Sequence, residues 1–415
     1  MASLKETVRS AVAPSSVPGW AILGVTVLAQ AALSVPNQGI PPLAPFLKED
    51  LNLSRAQVGV VITAVMLGQF TLSLLSGWLM DAVGVRKTLT LGCLVSGLGM
   101  MPMALGGGYG HVLVFALVAS TGAGLGNPAT SKAIVDWFPL RMRATAMGVK
   151  QTGVPLGGAV FAATLPAIAL AAGWRTAALV LGGSALVATV VFYAVYRDAE
   201  RPTRSASDVR SGLRAIRLVA SNRNIVVTAT LASVLVGVQF CLLTYIILYL
   251  RDTFDVPVVV GGVLLAVMQM SALVARIGLG LLSDRVLHGR RKVVLAGAGG
   301  GTAIFLVALG LLPVGAPFLM VLALTVLVGV AGIGWHPVYH TSVAESAAPG
   351  LIAPALGFAS MFSAMGALVG PPAFGLIADG FGYRPAWFAL AGAAALATLV
   401  FLLLMREVRQ GVERP

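Results

Sequence analysis

Charge is scarce in this sequence. Asp, Glu, Lys and Arg make up only 10% of its 415 residues and the mean hydropathy is +0.92, where soluble globular chains carry roughly 25% charged residues. A water-soluble domain is therefore excluded, and the chain falls in the membrane class. Cysteine is scarcer still. Cys93 and Cys241 each sit in an apolar run, which reads as small core residues and rules out a disulfide framework. Acidic residues number 15 against 28 Lys and Arg, a net charge of +13. That surplus does not point to nucleic acid, because the basic residues are spread over short loops, as orientation in a bilayer requires. There is no phosphate-cradling loop of the G-x-x-x-x-G-K-[ST] type, so nothing supports ATP drive. There is also no nucleophile–base pair and no metal-ligand cluster. The chain reads as a non-enzyme with no cofactor.

What the sequence has is long apolar runs. A spanning helix needs about 20 mostly apolar residues. Twelve such segments are present: 20–46, 56–80, 87–106, 111–137, 144–171, 174–196, 224–250, 258–283, 291–312, 316–342, 352–378 and 385–405. The run after Lys5 and Arg9 is too long for a signal-peptide core and lacks a convincing cleavage site, so it is expected to be retained as the first span. Between the sixth and seventh spans lies the one long polar stretch, Arg197 to Arg223, with seven arginines and an amphipathic segment around Gly212–Ala220 suited to the membrane surface.

The remaining positive charges are unevenly placed. With the linker on one side, 20 Lys and Arg fall on that side and only Lys48, Arg55, Arg175, Arg251 and Arg384 on the other. This asymmetry predicts that the linker and both termini are cytoplasmic and that the protein sits in an inner membrane.

The two halves repeat. Leu47-Lys48-Glu49-Asp50 is echoed by Leu250-Arg251-Asp252-Thr253, Gly77 and Asp81 by Gly280 and Asp284, Gly173-Trp174-Arg175 by Gly382-Tyr383-Arg384, and Gly153 and Gly157 by Gly366 and Gly370. Four echoes in one order imply a duplicated six-helix unit. The expected organisation is an all-α membrane protein: a six-helix bundle over 1–196, a linker over 197–223 and a second six-helix bundle over 224–415.

The segment Gly77-Trp78-Leu79-Met80-Asp81-Ala82-Val83-Gly84-Val85-Arg86-Lys87 resembles the G-x-L-x-D-x-x-G-x-[RK]-[RK] signature of the major facilitator superfamily, with a looser copy from Gly280 through Asp284 and Arg285 to Lys292. The resemblance extends over essentially the whole chain. It implies twelve helices in two pseudo-symmetric bundles that rock about a central site, with Gly77, Asp81, Gly84 and Arg86, and Asp284 and Arg285, locking the cytoplasmic gate. Electrostatically, Asp81 is placed to pair with Arg86 and with a helix N-terminus. An ordinary interfacial ion pair is the plainer reading. The glycines of the fifth span loosely resemble a Gly-Pro motif of antiporters in that family, but Val154 interrupts it. Small residues four apart are read as close helix packing.

Charges within a bilayer are costly and mark candidate sites. Lys132, Lys150 and Arg276 lie within the predicted spans, whereas no acidic residue lies at mid-span. An all-positive interior suits an anion. Arg276 lies eight residues before Asp284, hence about 12 Å deep, and its guanidinium suits a carboxylate. Lys150 either joins it or snorkels back to the cytoplasm. Lys132 either joins it or pairs with Asp136 one turn on. Gln30, Ser34 and Asn37 form a polar face on the first span; Tyr245, Gln269, Trp335, His336 and Tyr339 complete the candidate substrate-binding set, with core packing the alternative for the aromatics. Arg276 resembles the substrate-binding arginine of the oxalate/formate and monocarboxylate transporter groups. The match is partial: Ala272 stands where the latter carry an aspartate, and helices 1 and 11 lack the lysines of those groups. The reading is a secondary active transporter of a small organic anion, a carboxylate in particular. Its partners are the lipid bilayer and either protons or a counter-anion; it is a monomer and binds no nucleic acid. Efflux of hydrophobic drugs and a non-transporting membrane sensor are the rivals.

Overall fold

The computed structural model describes residues 19–73, 75–198, 209–348 and 350–406, without the side chains at 77, 81, 140, 141, 144, 209–214 and 353. Among the described residues nine helices are long and apolar enough to cross a membrane, and ten when the pair Gly19–Leu33 and Val35–Asp50, bent by 44°, counts as one. The turn at Gly173 divides Thr145–Val195 into two passes, and the turn at Gly84 sets off 85–100 as another. The chain thus crosses twelve times, as its apolar runs predict.

We number the passes in order. α1 is Gly19–Leu33 with Val35–Asp50; α2 is Arg55–Ser73, continued by 76–83; α3 is 85–100. α4 is Tyr109–Gly124 with Gly126–Trp137, α5 is Leu140–Gln151 with 153–172, and α6 is 174–195. α7 is Arg223–Phe254, α8 is Val258–Leu281 with a π turn at Leu282–Val286, and α9 is Arg291–Leu311. α10 is Phe318–Ile333 with His336–Ser346, α11 is Ile352–Phe381 and α12 is Tyr383–Leu404. A further helix, Val209–Ala220, precedes α7 where the amphipathic segment is expected. The outer surface is apolar: Leu170 is 70% exposed, Val190 68% and Leu403 71%, which is stable only against lipid.

The sequence repeats have a physical counterpart. Gly173 and Gly382 adopt φ of 83° and 85°, a region L-residues with a Cβ rarely enter, and each turns the chain between two passes. The aromatic that follows then reaches the end of its half's first helix: Trp174 Nε1 donates to Asp50 at 3.0 Å and Tyr383 Oη to Asp252 at 2.9 Å. The tie is conserved in kind while the acceptor shifts by one position between the halves.

The halves meet through α1 against α7, α2 against α11 and α5 against α8. The α2–α11 crossing needs glycine. A Cβ on Gly59 would come within 2.5 Å of the Pro371 carbonyl carbon, and one on Gly375 within 2.6 Å of the Ala56 backbone. Within the first half, Gly153 lies against α1, where a Cβ would meet the Val27 carbonyl at 2.6 Å, consistent with the packing reading of the α5 glycines.

Candidate functional site

Four passes break at mid-depth. The helix is interrupted at Ser34 in α1, Leu125 in α4, Thr152 in α5 and Gly334–Trp335 in α10. Broken spans leave backbone groups that neighbours or a cavity must satisfy, and in this chain the breaks fall beside the polar residues. Gln30, Asn37 and Gln38 flank the α1 break, Asn127 follows that in α4, Lys150 precedes that in α5, and His336 follows that in α10.

Lys150 is fully buried and does not snorkel. Its ammonium donates to Asn127 Oδ1 at 2.8 Å and Ser131 Oγ at 3.0 Å, both neutral acceptors. Arg276, on α8, has a buried Nε without a hydrogen-bond partner. Among the described residues neither cation pairs with a carboxylate. The two stand on passes that pack against each other across the halves, Lys150 on α5 and Arg276 on α8. His336 stacks on Trp335 at 4.1 Å, and Trp335 and Tyr339 are buried beside it.

Further neutral amides lie along the broken α1 and its neighbours. Gln30 accepts from Thr130 at 2.7 Å, and Asn37 donates to Gln69 at 2.7 Å. Gln269 donates to Gln38 at 2.5 Å, a buried bond between the two halves. Asn37 Oδ1, Gln239 Oε1 and Tyr339 Oη are buried without a partner, so α1, α7 and α10, like α8, each offer an uncommitted polar atom. Buried polar atoms are nearly always satisfied, and such a cluster suits a polar solute.

Other candidates lie elsewhere. Ser34 Oγ is spent on the Ala31 carbonyl at 2.7 Å. Tyr245 is packed toward the end of the molecule away from the linker, where its hydroxyl lies 2.8 Å from the Arg55 carbonyl and 2.7 Å from that of Pro371. Lys132 and Asp136 each have an interaction partner. The side chain of Asp81, like Gly77, lies outside the described residues. Arg86 is committed to the end of α6: it donates through Nε to the Tyr193 carbonyl at 3.0 Å, its guanidinium lies 4.0 Å from that ring's centre, and its backbone N–H donates to Asp198 at 2.9 Å. Gly84, at φ 84°, forms the turn beside it. In the second half Asp284 pairs with Arg291, which also bonds Glu345 at 3.2 Å and Ser283 at 2.7 Å, while Arg285 is exposed.

The far end, opposite the linker, is closed. Arg55 pairs with Asp252 at 3.1 Å and with Asp379 at 3.7 Å, and Arg251 pairs with Glu49 at 2.7 Å. Thr63 donates to the Leu368 carbonyl at 2.7 Å. These contacts between the halves lie at this end or at mid-depth, as does the Gln269–Gln38 bond. Of the groups this closure uses, the sequence places Arg55, Arg251, Glu49, Asp252 and Asp379 off the linker side but does not say which pairs with which. Asn127, Ser131, Gln38, Gln69 and Gln239 were legible only as polar residues inside apolar runs.

The profile of the Major Facilitator Superfamily matches residues 25–312 and 286–415. The chain is 25% identical over 388 residues to the hexuronate transporter of Bacillus subtilis strain 168, covering 90% of each protein. It is 24% identical over 405 residues to the D-galactonate transporter of Escherichia coli O6:H1, covering 88% of this chain and 90% of that one. In fold it is similar to a bacterial homolog of the human lysosomal transporter Spinster in its inward-facing, unoccupied conformation, with a TM-score of 0.78 at 14% identity over 94% of this chain and 97% of the other.

Proposed function

The chain belongs to the major facilitator superfamily, and from that premise we propose that it is a secondary active carrier of a hydroxylated small carboxylate, of the hexuronate and aldonate kind, held by Arg276 with Lys150. The observation that carries this reading is Arg276, on a membrane-spanning helix, with a buried Nε that has no hydrogen-bond partner and with no carboxylate pair among the described residues. Burying such a cation without a counter-ion would cost several kcal/mol, and a carboxylate ligand removes that cost while accepting two parallel hydrogen bonds. The amides of Gln30, Asn37, Gln38, Gln69, Gln239 and Gln269 give sugar-acid hydroxyls donors and acceptors. The names of the relatives, hexuronate and D-galactonate transporters, support the same substrate class. Transport by alternating access is the family's mode. The state described here is closed at the end opposite the linker and is read as inward-facing, with the linker and both termini in the cytoplasm and the protein in an inner membrane. Among the described residues no carboxylate lies at mid-depth, where a site for cationic drugs would want one.

The test is binding of galacturonate and of its amide to purified wild type and to Arg276→Ala. Wild type should bind the acid at least tenfold more tightly than the amide, and Arg276→Ala should lose that preference. Equal binding of acid and amide, or an alanine variant that still prefers the acid to the same degree, overturns the assignment.

A further inference from the structure

We infer that this carrier is an obligatory exchanger: the site crosses between the two faces only when an anion occupies it, so one anion enters as another leaves. The inference rests on the proposed anion site and goes beyond it by fixing how transport is driven.

The argument is an account of charge at mid-depth. Arg276 lies on α8 of the second half and Lys150 on α5 of the first, two passes that pack against each other. The other polar side chains at this depth, Gln30, Asn37, Gln38, Asn127, Gln239 and Gln269, are neutral amides. The imidazoles of His336 and His340 are neutral or positive, never negative. Among the described residues the acids sit at or near helix ends: Glu49 and Asp50 end α1, Asp136 lies one residue before the end of α4, Asp252 and Asp255 close α7, Asp284 follows α8, Glu345 lies one residue before the end of α10 and Asp379 is two from the end of α11. Asp81 likewise lies within a turn of Gly84, where its helix ends. No carboxylate is therefore available at the centre, either as an internal counter-ion or as a group that could take a proton and release a substrate.

Consider the empty carrier. Its far end is shut and Arg276 is only partly buried. To expose the site at the far end, the linker end must close, sealing Arg276 between the halves with no negative charge, while Lys150 is already fully buried. Desolvating an unpaired ion costs several kcal/mol, enough to slow the crossing at least about a hundredfold. A bound carboxylate cancels one charge and takes up the guanidinium's hydrogen bonds, so the loaded carrier escapes that barrier. The guanidinium that selects the substrate also holds back the empty protein.

Purified protein in liposomes tests this with radiolabelled galacturonate outside and either unlabelled galacturonate or buffer inside. Uptake into galacturonate-loaded vesicles should exceed uptake into empty ones at least about a hundredfold, and an inward proton gradient should not rescue the empty vesicles. Comparable uptake into empty vesicles, with or without the gradient, overturns exchange while leaving the organic-anion reading intact. No uptake under either condition overturns the organic-anion reading and this inference with it. Ala272→Asp then tests the cause. Ala272 is buried one turn before Arg276 on α8, and an acid there supplies an internal counter-ion. The variant should raise net uptake at least tenfold relative to exchange. If it exchanges normally and gains no net uptake, the charge explanation falls. If it fails to fold, the wild-type comparison still decides between exchange and net transport.

Discussion

The carboxylate of Asp379, near the end of α11, closes the first turn of α2: its two oxygens accept from the backbone N–H groups of Arg55 and Ala56, at 2.9 Å each. One half thus caps a helix of the other, and the positive end of that helix becomes part of the closure. A cap of this kind is worth about 1 kcal/mol, or about fivefold in a population. Asp379→Ala should shift the carrier by about that factor toward the state open at the far end. The measurement is labelling by an impermeant maleimide of a cysteine placed at Ala44, which is buried in this state, with Cys93 and Cys241 replaced by alanine. Unchanged labelling would mean that Asp379 tidies a helix end and holds nothing shut.

The twelve passes were legible because each is an apolar run of the length a bilayer demands, and the turns between them were legible where glycine is required, as at Gly173 and Gly382. The two central cations were legible for the same reason: Lys150 and Arg276 stand out inside apolar runs. Their surroundings were not. That Lys150 would be held by Asn127 and Ser131 rather than snorkel depends on α4 breaking at Leu125 and on how α5 packs beside it, a tertiary matter that no local pattern encodes. Tyr245 shows the converse. It looked like a ligand contact, yet its hydroxyl is taken up by the carbonyls of Arg55 and Pro371. The closure at the far end joins residues 190 to 324 positions apart along the chain, and a charged residue near a helix end does not announce its partner.

The orientation of the molecule follows from its loops. A cysteine introduced at Ser221, at the end of the helix Val209–Ala220, should resist an impermeant thiol reagent in intact cells and react once the membrane is opened, because the 20-to-5 distribution of Lys and Arg places that side in the cytoplasm. Ready labelling in intact cells would invert the topology.

Lys150 and Asn127 should differ in how they affect binding. Lys150→Met keeps much of the side-chain volume and removes the charge, so affinity for galacturonate should fall about tenfold. Asn127→Ala keeps the charge but frees the ammonium from one of its two partners, and the loss should be about threefold, the scale of one net hydrogen bond. Arg276→Ala should cost more than either, about a hundredfold, since it removes the only bidentate donor. Calorimetric titration of the three variants gives the order. If Lys150→Met binds as wild type does, Lys150 is a structural lysine and the anion is held from one half alone.

The bond from Gln269 to Gln38 is the place where the two halves touch through buried polar groups at the level of the site. Gln269→Leu leaves the Gln38 carbonyl oxygen buried without its donor, at a cost of about 1–3 kcal/mol. Gln38→Leu does the same to the Gln269 amide. The double variant Gln38→Leu with Gln269→Leu buries two apolar groups and strands neither, so it should cost less than the two single changes summed, by about 0.5–3 kcal/mol. Gly158→Ala attacks the pair from the side, because its Cβ would press on both amides, and should resemble a single Gln variant. Thermal unfolding of the four proteins in detergent, run as a double-mutant cycle, measures the coupling. Strict additivity would mean that the two glutamines do not hold the halves together and that closure depends on the contacts at the far end, the Asp379 cap and the ion pairs of Arg55 and Arg251 among them.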